Sequence, residues 1–268
     1  MAETGYDQNT ISQAIHTKWA GNTVHFVRET DSTNNWAKKL VKEGASHGTL
    51  AVTEFQTAGK GRLGRSWTAK EGSSVMMTLI LKPDFSPEYA PMLTLVMGLS
   101  IAQAAEKLGI AASIKWPNDV VVSGKKICGI LTEMGLEEGA IRYVAIGAGI
   151  NVNIEEFSED IRDKATSLYI ETGCDYDRNR IIALVMECFE ENYEKFVQTC
   201  DMKNLLDSYD ALLANREQPV RVLETHEPYE GIAHGINEKG ELLVEKEDGR
   251  MVCVRAGEVS VRGLYSYV

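Results

Sequence analysis

With 268 residues, 44% of them hydrophobic, the chain is long enough to build one or two domains around a proper core. Its formal net charge of -11 excludes a generally basic surface of the kind that grips nucleic-acid backbones regardless of sequence. Five widely spaced cysteines without a CxxC pair argue against a disulfide framework or a thiolate zinc site.

The chain opens on a polar, acid-containing stretch, residues 1–10, unlike a signal peptide. No later apolar run approaches the roughly 18 residues of a membrane span, so the cytoplasm is the expected compartment. Residues 9–18 read as a short helix and 24–27 as a strand. Asp31-Ser32 turns the chain into a helix over 33–43, closed by Gly44, and 50–55 is a strand. Residues 56–74 have neither period; they form a polar, glycine-rich, basic loop, of a length that usually marks function or disorder. A strand resumes over 75–81. Pro91 suits the first turn of a helix over 92–108, apolar on nearly every face and therefore buried. Short strands at 114–116 and 120–122 flank a Pro-Asn-Asp corner, and 127–134 and 143–150 are apolar strands. Helical patterns follow near 178–197 and 202–214. From Pro219 the chain changes to short alternating strands at 220–223, 229–236, 242–245 and 251–255, with turns at 237–240 and 248–249. These read as a small β-barrel and divide the chain into 1–216 and 217–268.

Candidate chemistry concentrates in the long loop. Gly59-Lys60-Gly61-Arg62-Leu63-Gly64-Arg65, followed by Ser66-Trp67, formally contains GxGxxG. It lies in polar surroundings and not between an apolar strand and a helix, so it is not a dinucleotide fingerprint. Three cations around backbone that glycine leaves open suit a polyphosphate held by charge and N–H groups. A solvated basic loop is the ordinary alternative. Lys115-Trp116-Pro117-Asn118-Asp119 is, by itself, a common Asn-Asp turn. Asp31-Ser32-Thr33-Asn34 opens a helix with capping residues, whose free N–H donors can also meet a ligand. Lys125-Lys126 leads into apolar residues 127–131, so a lysine here either reaches outward or faces an anion. Gly147 to Asn153, GAGINVN, closes a strand and alone reads as a strand-to-loop turn.

Taken in order, DSTN (31–34), Gln56, GKGRLGR with Trp67 (59–67), KWPND (115–119), KKICGIL (125–131), GAGINVN (147–153) and the terminal AGEVS (256–260) resemble the biotin protein ligases. The resemblance runs from near residue 24 to the end. It implies an α+β fold: a catalytic domain akin to class II aminoacyl-tRNA synthetases, with a mixed sheet flanked by helices, followed by a C-terminal SH3-like β-barrel. It implies formation of biotinyl-5'-AMP from biotin and ATP with Mg²⁺, then transfer of biotin to a lysine of a biotin carboxyl carrier protein domain. The stretch before residue 24 is too short for the helix-turn-helix domain of the repressor members. The monofunctional type is therefore implied, without nucleic-acid or membrane partners, and a homodimer is left open.

By the same resemblance, Ser32, Thr33, Asn34 and Gln56 contact the biotin head group. Lys60, Gly61 and Arg62 close over its tail and the α-phosphate, and Lys126 meets the carboxylate or phosphate oxygens. Arg62, Arg65, Trp67, Asn118, Asp119 and Asn151 serve the nucleotide. Arg62, Lys126 and Asp119 form the implied catalytic set, Asp119 either near Mg²⁺ or orienting the incoming lysine. The family loop often reads GRGRxGR; Lys60 stands at its first Arg, which keeps charge but not bidentate geometry. A lipoate ligase would share the fold and the adenylation logic, but the loop signature favours biotin. A non-catalytic binding regulator is the reading from another class, opposed by intact Arg62, Asp119 and Lys126 and by the acidic charge.

Overall fold

The computed structural model describes residues 5–223, 228–256, 260–263 and 267–268. Parts of two sequence elements, 1–4 of the opening stretch and 257–259 of AGEVS, lie outside them. Helix α1 (Gln8–Ala14) starts on Asp7, whose carboxylate accepts from the Thr10 N–H at 2.9 Å, a standard N-terminal cap. β1 (Thr23–Thr30), α2 (Thr33–Lys42) and β2 (Thr49–Gln56) follow. The loop expected to be irregular carries a small ribbon: β3 (Gly59–Lys60) pairs antiparallel with β4 (Ser66–Trp67) around a 3-10 turn at Arg62–Gly64. Two-residue strands are too short for a sequence period to reveal.

Next come β5 (Ser74–Leu81), α3 (Leu93–Lys107), β6 (Ala112–Lys115), β7 (Asp119–Val122), β8 (Lys125–Glu137) and β9 (Ala140–Asn151). Pro91 belongs to a 3-10 turn, Pro87–Met92, that precedes α3 and not to the α-helix itself. β8 and β9 run past the expected apolar stretches because their far ends form a largely exposed hairpin, where no buried face imposes alternation. α4 (Leu168–Thr172) and α5 (Arg178–Phe196) follow. The single helix expected over 202–214 is split into a 3-10 turn, Lys203–Leu205, and a short α6 (Leu206–Leu212).

The first sheet is mixed, in the order β1-β2-β5-β9-β8-β7-β6, with β1 and β2 parallel and the rest antiparallel. Side chains alternate across it. Val75, Met77, Leu79 and Leu81 of β5 and Val144, Ile146, Ala148 and Ile150 of β9 enter one core with α1, α3 and α5. Ala51, Ile80 and Ala145 point to the opposite face, under Ala37, Leu40 and Val41 of α2. Burying each large aliphatic chain contributes roughly 1.5–3 kcal/mol, which makes the α3 face the stable side of the scaffold.

The second sheet is antiparallel, in the order β13-β12-β11-β10-β14, built from β10 (Gln218–Leu223), β11 (Tyr229–Ile236), β12 (Leu242–Lys246), β13 (Met251–Val254) and β14 (Ser260–Gly263). β14 is one strand more than the sequence suggested; it pairs with β10. The small sheet is fastened to the large one. Trp116 Nε1 donates to Gly240 O at 3.0 Å, and the Ile236 N–H donates to Asp210 Oδ1 of α6 at 3.1 Å.

Candidate active site

The α2 face of the large sheet is where the site lies, and register explains why. Gly129 of β8 stands opposite Gly149 of β9, and Leu131 opposite Gly147. On the other side of β9, Thr78 of β5 stands opposite Gly147 and Met76 opposite Gly149. Residues at i and i+2 share a face, so Gly129, Gly147 and Gly149 leave a trough in the sheet where side chains would otherwise rise.

Three side chains lie in that trough, Lys126 among them, its Nζ 2.8 Å from where a Cβ on Gly129 would stand. A Cβ on Gly147 would overlap Asn34 Oδ1, and a Cβ on Gly149 would overlap the Trp67 indole. Asn34 is a pillar held from three sides. Thr78 Oγ1 donates to its Oδ1 at 2.7 Å, and its Nδ2 donates to Leu131 O at 3.2 Å and to Glu133 Oε2 at 2.8 Å. Lys38 Nζ holds the other Glu133 oxygen at 2.7 Å. Burial pushes the Glu133 carboxyl up, but hydrogen bonds from Lys38 and Asn34 outweigh it and hold the pKa below the ordinary value.

Ser32 caps α2 by backbone position, yet its side chain makes no capping bond, so the hydroxyl is not consumed by the helix. Gln56 Oε1 takes that role instead, accepting from Thr33 N at 2.7 Å and Thr33 Oγ1 at 3.1 Å. Ser32, Thr33, Asn34, Gln56, Leu131 and Gly147 line one cleft. Lys60 lines it too, its Nζ donating to Asn35 Oδ1 at 2.7 Å.

A second cleft is lined by Arg65, Lys115, Pro117, Asp119 and Tyr267. Gly61, Arg62, Trp67, Asn118 and Lys126 line both clefts, so the two meet at these residues. Arg62 Nη1 donates to Asn118 Oδ1 at 3.3 Å, which folds the loop down on the KWPND corner. Burial lowers the Arg62 pKa, against the opposing pull of Asp119; a guanidinium stays charged even so. Lys126 Nζ lies 2.6 Å from Asp119 Oδ1. Lys125, the other half of the basic pair, turns outward to Arg162 O at 3.2 Å. The indole N–H of Trp67 is buried without a partner among the described residues.

Four cations, Arg62, Arg65, Lys115 and Lys126, surround one carboxylate, Asp119, in the second cleft. That balance suits a polyanion. The described residues contain no group of three or more His, Cys, Asp or Glu side chains able to hold a metal. A magnesium ion arriving on phosphates fits that donor set, since such ions commonly take only one or two protein carboxylates.

The structure thus brings together Ser32, Thr33, Asn34, Gln56, Lys60, Gly61, Arg62, Arg65, Trp67, Asn118, Asp119 and Lys126. Asn151 is set apart. It is buried at the end of β9, its Nδ2 donating to Thr166 O at 3.0 Å, and it lines neither cleft. Sequence reasoning missed Thr78, Glu133, Gly129 and Tyr267, which only strand pairing and chain folding bring to the site. It also missed how the loop's return is anchored. Arg178 pairs bidentately with Glu54 at 2.7 and 3.1 Å, and Glu54 Oε1 accepts the Gly72 N–H at 2.6 Å.

Residues 26–151 match the model of the biotin/lipoate A/B protein ligase family, and residues 217–262 match that of the biotin protein ligase C terminal domain. The bifunctional ligase/repressor BirA of Bacillus subtilis is 38% identical over 247 residues, covering 90% of this chain and 75% of that protein. The biotin--[acetyl-CoA-carboxylase] ligase of Paracoccus denitrificans is 31% identical over 243 residues, covering 87% of this chain and 98% of the relative. Among solved structures, the biotin protein ligase from Aquifex aeolicus in complex with biotin and ATP superposes with a TM-score of 0.78 at 34% identity, over 90% of this chain and 99% of that one.

Proposed function

The chain belongs to the biotin protein ligases, and from that membership we propose how its own residues divide the work of making and using an acyl-adenylate. It is an ATP-dependent ligase that forms biotinyl-5'-AMP and then transfers biotin. The observation that carries the division of labour is the pair of clefts joined at Arg62, Trp67, Asn118 and Lys126.

The first cleft takes biotin. Ser32, Thr33, Asn34 and Gln56 meet its head group, and Lys60 and Gly61 lie along its tail. The second takes ATP, with Arg65, Trp67 and Asn118 on the nucleotide. The biotin carboxylate then reaches the α-phosphorus at the junction, forming a C–O–P bond as the bond to pyrophosphate breaks. A carboxylate and a phosphate repel each other, and Lys126 and Arg62 offset that charge where it concentrates. Asp119 orients Lys126 through their 2.6 Å pair and would hold Mg²⁺ that arrives with ATP. When bound, that ion neutralises charge on the phosphates. Asn151 acts at one remove: it holds Thr166 O, and the Thr166 N–H donates to Lys126 O at 2.9 Å, so it positions the backbone of the lysine.

We assign 1–216 to this catalytic work and 217–268 to a barrel domain; the change from one sheet to the other near Gln218 supports the division. No helix among the described residues is long and apolar enough to cross a membrane, and we place the enzyme in the cytoplasm with the carboxylases it would serve. The acceptor is a folded biotin carboxyl carrier protein domain. Beyond Ile130, whose N–H donates to Asn118 O at 2.9 Å, β8 pairs only with β9 among the described residues, and exposed Met134 and Leu136 follow the cleft residue Leu131. An edge of this kind can add a strand from a partner.

Arg62 tests the lid role of the loop. Arg62→Ala should release biotinyl-AMP about ten- to hundred-fold faster, the loss of one charge-assisted contact. Escaped adenylate should then label bystander amines, while the parent labels the carrier domain and leaves free lysine largely untouched. Adenylate off-rate and mass spectra of mixed acceptors read both effects. An unchanged off-rate refutes the lid role, and free lysine labelled as fast as the carrier refutes docking.

A further inference from the structure

The loop that carries Lys60, Arg62 and Trp67 leaves and rejoins the large sheet at two fixed points. It leaves past β2, where the Thr57 and Ala58 N–H groups donate to Thr30 O and Asp31 O at 2.9 and 2.8 Å. At its return, Glu54 Oε1 accepts the Gly72 N–H at 2.6 Å, Ser73 O accepts from the Val152 and Asn153 N–H groups at 3.1 and 2.8 Å, and Ser74 O accepts from Arg178 Nη1 at 3.2 Å. Between the two points, the ribbon β3–β4 pairs with itself. The contacts at Gly72 and Ser74 converge on one ion pair. Arg178 opens α5 and grips both oxygens of Glu54, at 2.7 and 3.1 Å. The two side chains are only 12% and 11% exposed, and the Tyr6 ring covers the guanidinium, whose Cζ lies 3.7 Å from the ring centroid. A bidentate pair out of water fixes its partners in angle as well as in distance. The exposed Arg28–Glu71 pair beside it, at 2.9 Å, contributes little by comparison, because solvent screens it. Leu50 and Val52 of β2 enter the core shared with α3 and α5, and by alternation Glu54 points the same way. The pair thus stands on the far face of the sheet from the glycine trough, and neither residue lines either cleft.

We propose that Arg178 and Glu54 are positioning residues for adenylate retention: their ion pair sets where residues 72–74 return to the sheet, and thereby where Arg62 and Trp67 rest over the junction of the clefts. The proposal rests on the lid role assigned to this loop. Only Thr68 to Glu71 separate Trp67 from the clamped Gly72, so a shift at the clamp reaches the ribbon through a short connection. A misplacement of about 1 Å in a site can cost about a hundredfold. Arg62 closes the loop through a single 3.3 Å contact to Asn118 among the bonds described above, and a contact at that length has little slack to absorb such a shift. The pair acts from outside both clefts, so it touches neither ligand and works only through the loop.

Release of preformed, labelled biotinyl-AMP from the purified protein into excess unlabelled biotin and ATP tests this, at a temperature below the melting transition of every variant. Arg178→Met keeps length and apolar packing and should release the adenylate about tenfold faster, the lower end of the loss expected for Arg62→Ala. Arg178→Lys keeps the charge but not the fork, and should restore part of the retention. In the Arg62→Ala background, Arg178→Met should add less than about twofold, because the contact it positions is already gone. Should Arg178→Met fail to fold, the nearly isosteric Glu54→Gln takes its place, with faster release again expected. Parental retention in the folded variant overturns the proposal, and so do effects of Arg178→Met and Arg62→Ala that multiply in full. Parental retention by Arg62→Ala removes the lid reading and the proposal with it. Fast release by Arg62→Ala beside parental retention by Arg178→Met removes the positioning role alone.

Discussion

Lys126→Ala is expected to slow adenylate formation about ten- to hundred-fold, the effect of losing one charge-assisted contact of roughly 1.5–3 kcal/mol to the reacting oxygens. Lys126 lines both clefts and lies 2.6 Å from Asp119, so its ammonium stands where carboxylate and phosphate must meet. The loss should appear in biotin-dependent pyrophosphate exchange and not in retention of a finished adenylate, which the loop governs. Removing one member of a partly buried pair also leaves Asp119 short of a partner, so some thermal stability should be lost as well. Lys126→Gln keeps the length and much of the packing, and should show the same kinetic defect with a smaller drop in melting temperature. Exchange at the parental rate in either variant would remove Lys126 from the chemical step.

The second large effect is expected two residues apart on one strand. Gly147→Ala and Gly149→Ala place their Cβ atoms on the same face of β9, but against different neighbours. At 147 the new methyl displaces Asn34, which is fixed by Thr78, Leu131 and Glu133 and cannot yield without losing hydrogen bonds. Biotin affinity should fall about ten- to hundred-fold, with a stability cost of roughly 1–3 kcal/mol from overpacking. At 149 the methyl meets the Trp67 indole, carried by the short β3–β4 ribbon and not by the large sheet, so the defect should fall on the ATP requirement more than on stability. Separate titrations of biotin and ATP, with a melting curve for each variant, read the division. Identical defects in the two variants would show that the trough does not separate the ligands.

How much of this was legible in the sequence follows from the range of the forces involved. The apolar run of β5 and the all-round apolar α3 announce the core locally, because burial imposes a pattern on neighbouring residues. The loop cations and the KWPND corner are legible for a different reason: their chemistry is carried by consecutive residues. The glycine trough is not legible, since Gly129, Gly147 and Gly149 acquire meaning only from the register of three strands. Asn34 reads as a capping residue and becomes a pillar only when Thr78 and Glu133 arrive from distant strands. Asn151, grouped with the nucleotide residues by its motif, lines neither cleft and donates to Thr166 O, a contact no local pattern signals. Tyr267 is the extreme case, meeting Asp119 across 148 positions of sequence.

These residues are expected to activate biotin in particular. Pyrophosphate exchange measured with the purified protein, ATP and Mg²⁺, with biotin and lipoate supplied separately, tests it most directly. The head-group cleft is lined by Asn34, Gln56 and Thr33, each fixed by hydrogen bonds to its neighbours. A site built on hydrogen bonds discriminates strongly against a ligand that cannot complete them. Exchange with biotin and near-background exchange with lipoate is the predicted result, with biotinyl-AMP identified by its mass. Lipoate driving exchange as fast as biotin, or neither acid driving it, would contradict the account.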